Sequence, residues 1–248
     1  NQATKTAQAS TRPSARLAYP LITEPATLDV TIAGFDLVPT QLMEGLYHYG
    51  SDGEIEPAGA ISHSASSDGL VYTVTLRSDS VWSDGEPVRA QHYVDGVIRA
   101  LDPATGADYT ASLLYPIEGA EAYNRGDITD PDQVGVTALD AHTLQFTLEE
   151  PTVYFPSIAA TSAAYPVRLD LINSDPHWTE AGHFVGNGPY TLETWDHGNY
   201  LELRRNPHYY DAAQISIESV QMPVLSENEQ LAAYEDGLVH VSAAPDGE

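Results

Sequence analysis

The sequence predicts an α/β fold with strands and helices unevenly interleaved, and three patterns carry that expectation. Leu70, Tyr72, Val74 and Leu76 alternate with Val71, Thr73, Thr75 and Arg77, the period-2 signature of a strand with one buried face. Val94, Val97, Ile98 and Leu101 then recur at helical spacing. Two further stretches, 134–148 and 190–205, each read as a pair of strands around a short turn.

In chain order, residues 1–15 (NQATKTAQASTRPSA) are polar and rich in Ala, Ser and Thr, and predict a disordered tether. Structure is expected to begin at Arg16, where RLAYPLI reads as a short strand closed by the Glu24-Pro25 turn signal. A helix is expected from Asp36 to Tyr47, because Val38, Leu42 and Leu46 recur at i, i+4 with Met43 and Tyr47 beside them. The turn YGSDGE precedes the strand at 70–77, and SDGEPV (Ser83–Val88) is the turn into the helix carrying Val94 to Leu101. Residues 106–125 read as short helices and loops. The hairpins turn at Asp140-Ala141 and at His197-Gly198, with Leu144, Phe146 and Leu148 on the buried face of the first. Ser226 and Glu229 form a capping box ahead of Leu231 and Tyr234, and Gly237 stands where a C-cap belongs. No internal repeat is present.

Charge narrows the function classes. Asp and Glu number 36 against 10 basic residues, for a net charge of −26, and Lys5 is the sole lysine. Nucleic acid is excluded as a partner, since phosphate binding needs clustered Lys and Arg. Peripheral attachment to anionic membranes through a basic face is excluded likewise. The acidic residues are interspersed with apolar ones, as on a solvated folded surface; they serve solubility, or match a salty exterior that screens their repulsion. There is no cysteine, so disulfides and thiol chemistry are absent. No apolar run approaches the ~20 residues of a membrane span and no signal peptide is read, so no direct membrane insertion by this chain is expected.

Enzyme signatures are lacking. There is no Walker A loop, no G-x-G-x-x-G and no G-x-S-x-G elbow. With 36 carboxylates, a catalytic pair cannot be singled out by spacing. His177, His183, His197 and His208 share one segment without metal-ligand spacing. No catalytic residue, metal ligand or cofactor is therefore nominated. Tyr is common (15) and Phe rare (4), a balance that suits either pockets for amphipathic ligands or half-buried strand positions.

Five segments, in order, carry a resemblance. EPATLDV (Glu24–Val30) is similar to E-P-x-S/T-L-D-P, with Val30 in place of the Pro. MEGLYHYGSDGEIEPAGA follows, then YTVTLRSDSVWSDGEPVRAQHYVDGVIRALDP at 72–103. GVTALDAHTLQFTLEEPTVYF is the fourth. NGPYTLETWDHGNYLELRRNPHYYDAAQISIESVQM at 187–222 is the fifth, with Tyr210 in place of a Trp. Together they resemble the bacterial extracellular solute-binding proteins of family 5, which serve oligopeptide, dipeptide and nickel ABC importers. The resemblance covers residues 16–248. Arg89 departs from it, standing where Ser or Thr caps the helix, and His92 stands where Asp is common; a lost cap costs about 1 kcal/mol unless another group replaces it.

The resemblance implies a periplasmic-binding-protein-like fold of type II with an extra domain. Residues 16–43 and 169–248 would form lobe I, 44–168 an inserted domain II-like subdomain, and the C-terminal lobe would be missing. Its implied role is the substrate-binding component of an ABC importer, not an enzyme. It would capture peptides in the periplasm or at the cell surface, lipid-anchored in the precursor, and deliver them to the permease membrane subunits. Nickel complexes or oligosaccharides on the same scaffold, or ligand sensing within a regulator, are the alternatives. The implied cleft residues are Ala33, Gly34 and Phe35 in the loop after EPATLDV, Tyr109, the stretch Ala160, Thr161, Ser162 and Tyr165, and Asn187-Gly188. Asn187-Gly188 reads equally as turn chemistry and Tyr109 equally as a core tyrosine. With one lobe absent, weak ligand binding, an exposed apolar face and dimerisation through that face are expected.

Overall fold

The computed structural model describes residues 15–34 and 36–242. The tether at 1–15 lies outside them apart from Ala15, and so does Phe35 of the nominated loop. Ala15 already belongs to the first strand, β1 (Ala15–Ala18), one residue earlier than expected.

After β1 come two single-turn helices, α1 (Val30–Ala33) and α2 (Pro39–Leu42), and the small antiparallel hairpin of β2 (Tyr47–Tyr49) and β3 (Ile55–Pro57). The helix expected over 36–47 is thus confined to α2. Met43 is already extended (φ −124°, ψ 151°). Val38, Leu42, Met43, Leu46 and Tyr47 are all buried, so the apolar spacing reflects burial on every side and not a helical stripe. Neighbouring backbone claims the segment instead: Gly188 N–H donates to the Leu42 carbonyl (2.9 Å), and Ala58 and Ala60 N–H groups donate to that of Leu46 (3.1 and 3.0 Å).

The second sheet follows, β4 (Ala60–Ala65), β5 (Val71–Leu76), β6 (Val136–Asp140) and β7 (Thr143–Thr147), antiparallel throughout in the order β4-β5-β7-β6. On β5 the buried residues are Tyr72, Val74 and Leu76, and Tyr72 and Val74 stand opposite Phe146 and Leu144 of β7. Each such fully buried side chain contributes roughly 1.5–3 kcal/mol. Helix α3 (Ala90–Leu101) packs on β6 and β7 through a face that includes Tyr93, Val97, Ala100 and Leu101. Gly96 lets this helix press against Tyr165, whose carbonyl oxygen would lie 2.0 Å from any Cβ there. Short helices α4 (Asp108–Leu113) and α5 (Ala120–Asn124) precede β6, and α6 (Phe155–Ala159) and α7 (Leu169–Ser174) follow β7.

The chain then builds β8 (Tyr190–Asp196), β9 (Tyr200–Arg205) and β10 (Ile217–Pro223). These form the first sheet with β1, in the order β1-β10-β9-β8, parallel at β1/β10 and antiparallel elsewhere. Helix α8 (Glu227–Glu235) starts at the expected capping box, Ser226 N–H donating to Glu229 Oε2 (2.9 Å), and Gly237 follows with φ +71°. Leu231, Tyr234 and Leu238 on and just after α8 are exposed. One contiguous core runs through both four-stranded sheets, from Leu201, Leu203 and Met222 to Val74, Phe146 and Phe155. Among the described residues, no helix is long and apolar enough to cross a membrane.

The N-terminus of α3 shows how the departure at Arg89 is absorbed. His92 Nδ1 accepts from the Arg89 N–H (3.1 Å), the half of a capping box that runs from the third helical residue back to the cap, while the His92 N–H, which a Ser or Thr hydroxyl at 89 would accept, donates to the Arg89 carbonyl (3.0 Å). The same nitrogen accepts from Trp82 Nε1 (3.2 Å), so the imidazole is a neutral acceptor to two donors. Burial, with Arg168 and Arg89 nearby, pushes its pKa down to about 4.

Candidate functional site

The site is built from backbone that short helices bring to one place. The run T-L-D-V puts Asp29 at the N-cap of α1, its Oδ1 accepting from Thr31 N–H (3.1 Å). The Asp29 carbonyl accepts from Ile32 and Ala33 N–H (3.0 and 2.8 Å), and Gly34 ends the turn at φ 62°, ψ −121°, a conformation that only glycine adopts without strain. Ala33 is half-buried and Gly34 buried, while Ile32 between the cap and the end is 47% exposed.

Two further nominated segments meet this one. The 3-10 turn Ser162–Ala164 contacts α1 on one side and α4 on the other. Ala160 and Ser162 are buried, Thr161 turns its hydroxyl back to the Ile158 carbonyl (2.7 Å), and Tyr165 packs its ring over Gly45. Burial pushes the Tyr165 hydroxyl up to about 12. Helix α4 buries Thr110 and Ala111 and leaves Tyr109 63% exposed, so Tyr109 is not a core residue. The helices α1 and α4, which carry Ala33 and Tyr109, therefore both adjoin the 162–164 turn. Neither Ile32 nor Asp29 was singled out from sequence; the N-cap pattern of Asp29 before Val30 is the signal that could have found the turn.

Asn187 and Gly188 serve a different seam. Asn187 is 1% exposed and its amide pairs with both backbone groups of Glu44, Oδ1 accepting from Glu44 N–H (3.0 Å) and Nδ2 donating to the Glu44 carbonyl (2.9 Å). A Cβ at Gly188 would lie 2.6 Å from the Leu42 carbonyl carbon, so the close approach requires glycine. The Gly188 carbonyl in turn accepts from Asn206 Nδ2 (2.9 Å). Beside this seam the Glu44 carboxyl is buried, its Oε1 accepting from Tyr209 and Tyr210 hydroxyls (2.5 and 3.2 Å) and its Oε2 without a hydrogen-bond partner among the described residues. Burial raises the Glu44 pKa against the pull of those hydroxyls.

Several charged side chains are paired within the fold. Arg99 forks onto Asp29 (2.8 and 2.5 Å), and Arg168 holds Asp84 and Asp170 (2.8 and 2.7 Å). His197 bridges Glu24 (2.6 Å) and Glu180 (3.0 Å), and both carboxylates raise its pKa. Among the described residues no group of three or more His, Asp or Glu side chains is placed to hold a metal ion. What α1 and α4 offer, both adjoining the 162–164 turn, is turn backbone and an exposed aromatic ring, groups that an extended amide chain can contact reversibly.

The fold is that of part of a type II periplasmic-binding protein, as comparison with solved structures shows. The substrate-binding domain of an oligopeptide ABC transporter from Bacillus anthracis superposes with a TM-score of 0.86 at 31% identity, covering 92% of this chain and 45% of that one. The Listeria monocytogenes OppA bound to peptide gives 0.86 at 29% identity, covering 92% and 46%. The dipeptide-binding protein DppE of Bacillus subtilis is 37% identical over 228 residues, which is 90% of this chain and 41% of the relative. The model of the bacterial extracellular solute-binding proteins, family 5 (middle) matches residues 54–248, and the chain belongs to that family. Its members are solute-binding proteins, and the chain spans under half the length of these relatives.

Proposed function

We propose that this chain supplies one wall of a peptide-binding cleft in the receptor component of an ABC importer. It works outside the cytoplasmic membrane, without enzymatic turnover, and hands its ligand to the permease subunits. The adjacency of α1 and of the Tyr109-bearing α4 to the 162–164 turn carries this reading. Peptide recognition on it is by backbone, with Ala33 and Gly34 supplying main-chain groups and Tyr109 an apolar face with a polar tip. In this reading 16–43 and 169–248 form the lobe, and 44–168 the inserted subdomain that buttresses it. Asn187 and Gly188 act behind the cleft wall by holding the 42–44 backbone in place.

Isothermal titration calorimetry with tri-alanine tests the proposal. The expected result is saturable binding that acetylated glucosamine oligomers and Ni²⁺ do not reproduce. Binding of either of those with no response to tri-alanine would replace the peptide reading.

A further inference from the structure

A buried ion pair links the nominated ligand turn to a helix 70 residues away. Arg99, in the last turn of α3, donates from Nη1 to Asp29 Oδ1 (2.8 Å) and from Nη2 to Asp29 Oδ2 (2.5 Å). The side chains are 15% and 5% exposed. The guanidinium also lies over the Trp178 ring at 5.8 Å, and Trp178 stacks on Phe184. Arginine near a helix C-terminus and aspartate at a helix N-terminus each complement a backbone dipole, so the pair joins the negative end of α3 to the positive end of α1.

From this geometry we infer that Arg99 and Asp29 are positioning residues for the 30–34 ligand turn. The inference rests on the peptide reading above. Well-packed apolar residues of similar volume would hold the same elements together as strongly, because a buried ion pair loses in desolvation much of what it gains in attraction. What the fork adds is direction: two parallel donors fix the plane of the Asp29 carboxylate. That carboxylate caps α1, and the carbonyl of the same residue receives the Ile32 and Ala33 amides. The carboxylate is tied to Thr31 N–H and the carbonyl to Ile32 and Ala33, so a shift of Asp29 as a whole displaces the turn. Helix α3 is the rigid reference, clamped between the β4–β7 sheet and the 162–164 turn. The inserted subdomain thus sets the pose of a turn that lies outside it.

The test uses Arg99→Lys and the double variant Asp29→Asn/Arg99→Met, read by amide hydrogen exchange and by tri-alanine calorimetry well below the unfolding midpoint. Lysine keeps the charge without the fork, and the double variant removes both charges while Asn still caps α1, so it folds even if Arg99→Lys does not. In both, exchange at Ile32 and Ala33 is expected to rise about tenfold, and tri-alanine affinity of the folded protein to fall about tenfold. Unchanged exchange at these amides overturns the positioning role whatever the peptide does. Faster exchange with wild-type affinity overturns it as a determinant of binding. Failure of the unsubstituted chain to bind tri-alanine removes the peptide reading instead, and the exchange result then still decides whether the pair orders the turn.

Discussion

His92 should make the stability of this protein depend on pH in the mildly acidic range. Its Nδ1 accepts from both the Arg89 N–H and Trp82 Nε1, so protonation there breaks the α3 cap and strands an indole N–H on a fully buried ring. The groups facing it are Arg168, Arg89, Asp170 and Asp84. Burial is the largest cause of its depressed pKa, followed by Arg168, with the two aspartates opposing. With a pKa near 6.5 in the unfolded chain and about 4 in the fold, the contribution is complete above pH 6.5. It declines as pH falls toward 4 and is gone below. That fall corresponds to about 3 kcal/mol at full protonation, and partial exposure brings it to roughly 2 kcal/mol. Urea unfolding of the parent and of His92→Asn, whose amide oxygen accepts without titrating, isolates the effect in the difference between their pH profiles. The parent should lose about 2 kcal/mol relative to the variant between pH 7 and pH 4. A flat difference, or an NMR titration of His92 with a midpoint near 6.5, would refute the reasoning.

Other outcomes follow from the same geometry. Asn187→Ala strips both hydrogen bonds from the buried Glu44 backbone and should cost about 2–4 kcal/mol in urea unfolding, with the slope of the transition unchanged. Tyr109→Ala should leave stability within about 0.5 kcal/mol because the side chain is largely exposed, yet weaken tri-alanine binding about tenfold in calorimetry. Raising KCl from 0.05 to 2 M should raise the thermal midpoint by roughly 5 °C or more. The net charge of −26 leaves far more carboxylates than the ten basic residues can neutralise, and salt screens their repulsion. A midpoint independent of salt would mean that the carboxylates are spaced too widely to repel.

Much of the fold was legible because its signals are local. Period-2 alternation at 70–77 and the apolar stripe of Val97 and Leu101 each report a single buried face, and both elements stand where expected. The Asp36–Tyr47 helix was misread for the opposite reason, since its second half, 42–47, is buried continuously and carries no periodicity that separates helix from extended chain. Strand β4 gave no signal, because Ile61 to Ala65 are all exposed. The site was legible only in part. Resemblance pointed to Ala33, Gly34, Tyr109 and 160–165, and the helices α1 and α4 both adjoin the 162–164 turn, which makes these residues a proposal for the site. The Asp29–Arg99 fork was invisible, because pairing across 70 residues leaves no local trace among 36 carboxylates. Nor could spacing reveal that His92 accepts the Arg89 N–H at the start of α3, since that depends on which ring nitrogen faces the helix end.

The central claim, that a peptide lies against the α1–α4 surface, is tested most directly with spin-labelled tri-alanine and the amide NMR spectrum of this chain. The account predicts paramagnetic broadening centred on Ile32, Ala33, Gly34, Tyr109 and Thr161, relieved by excess unlabelled peptide. Broadening confined to the exposed face of α8 around Leu231 and Tyr234, or none at peptide concentrations that saturate calorimetric binding, would contradict it.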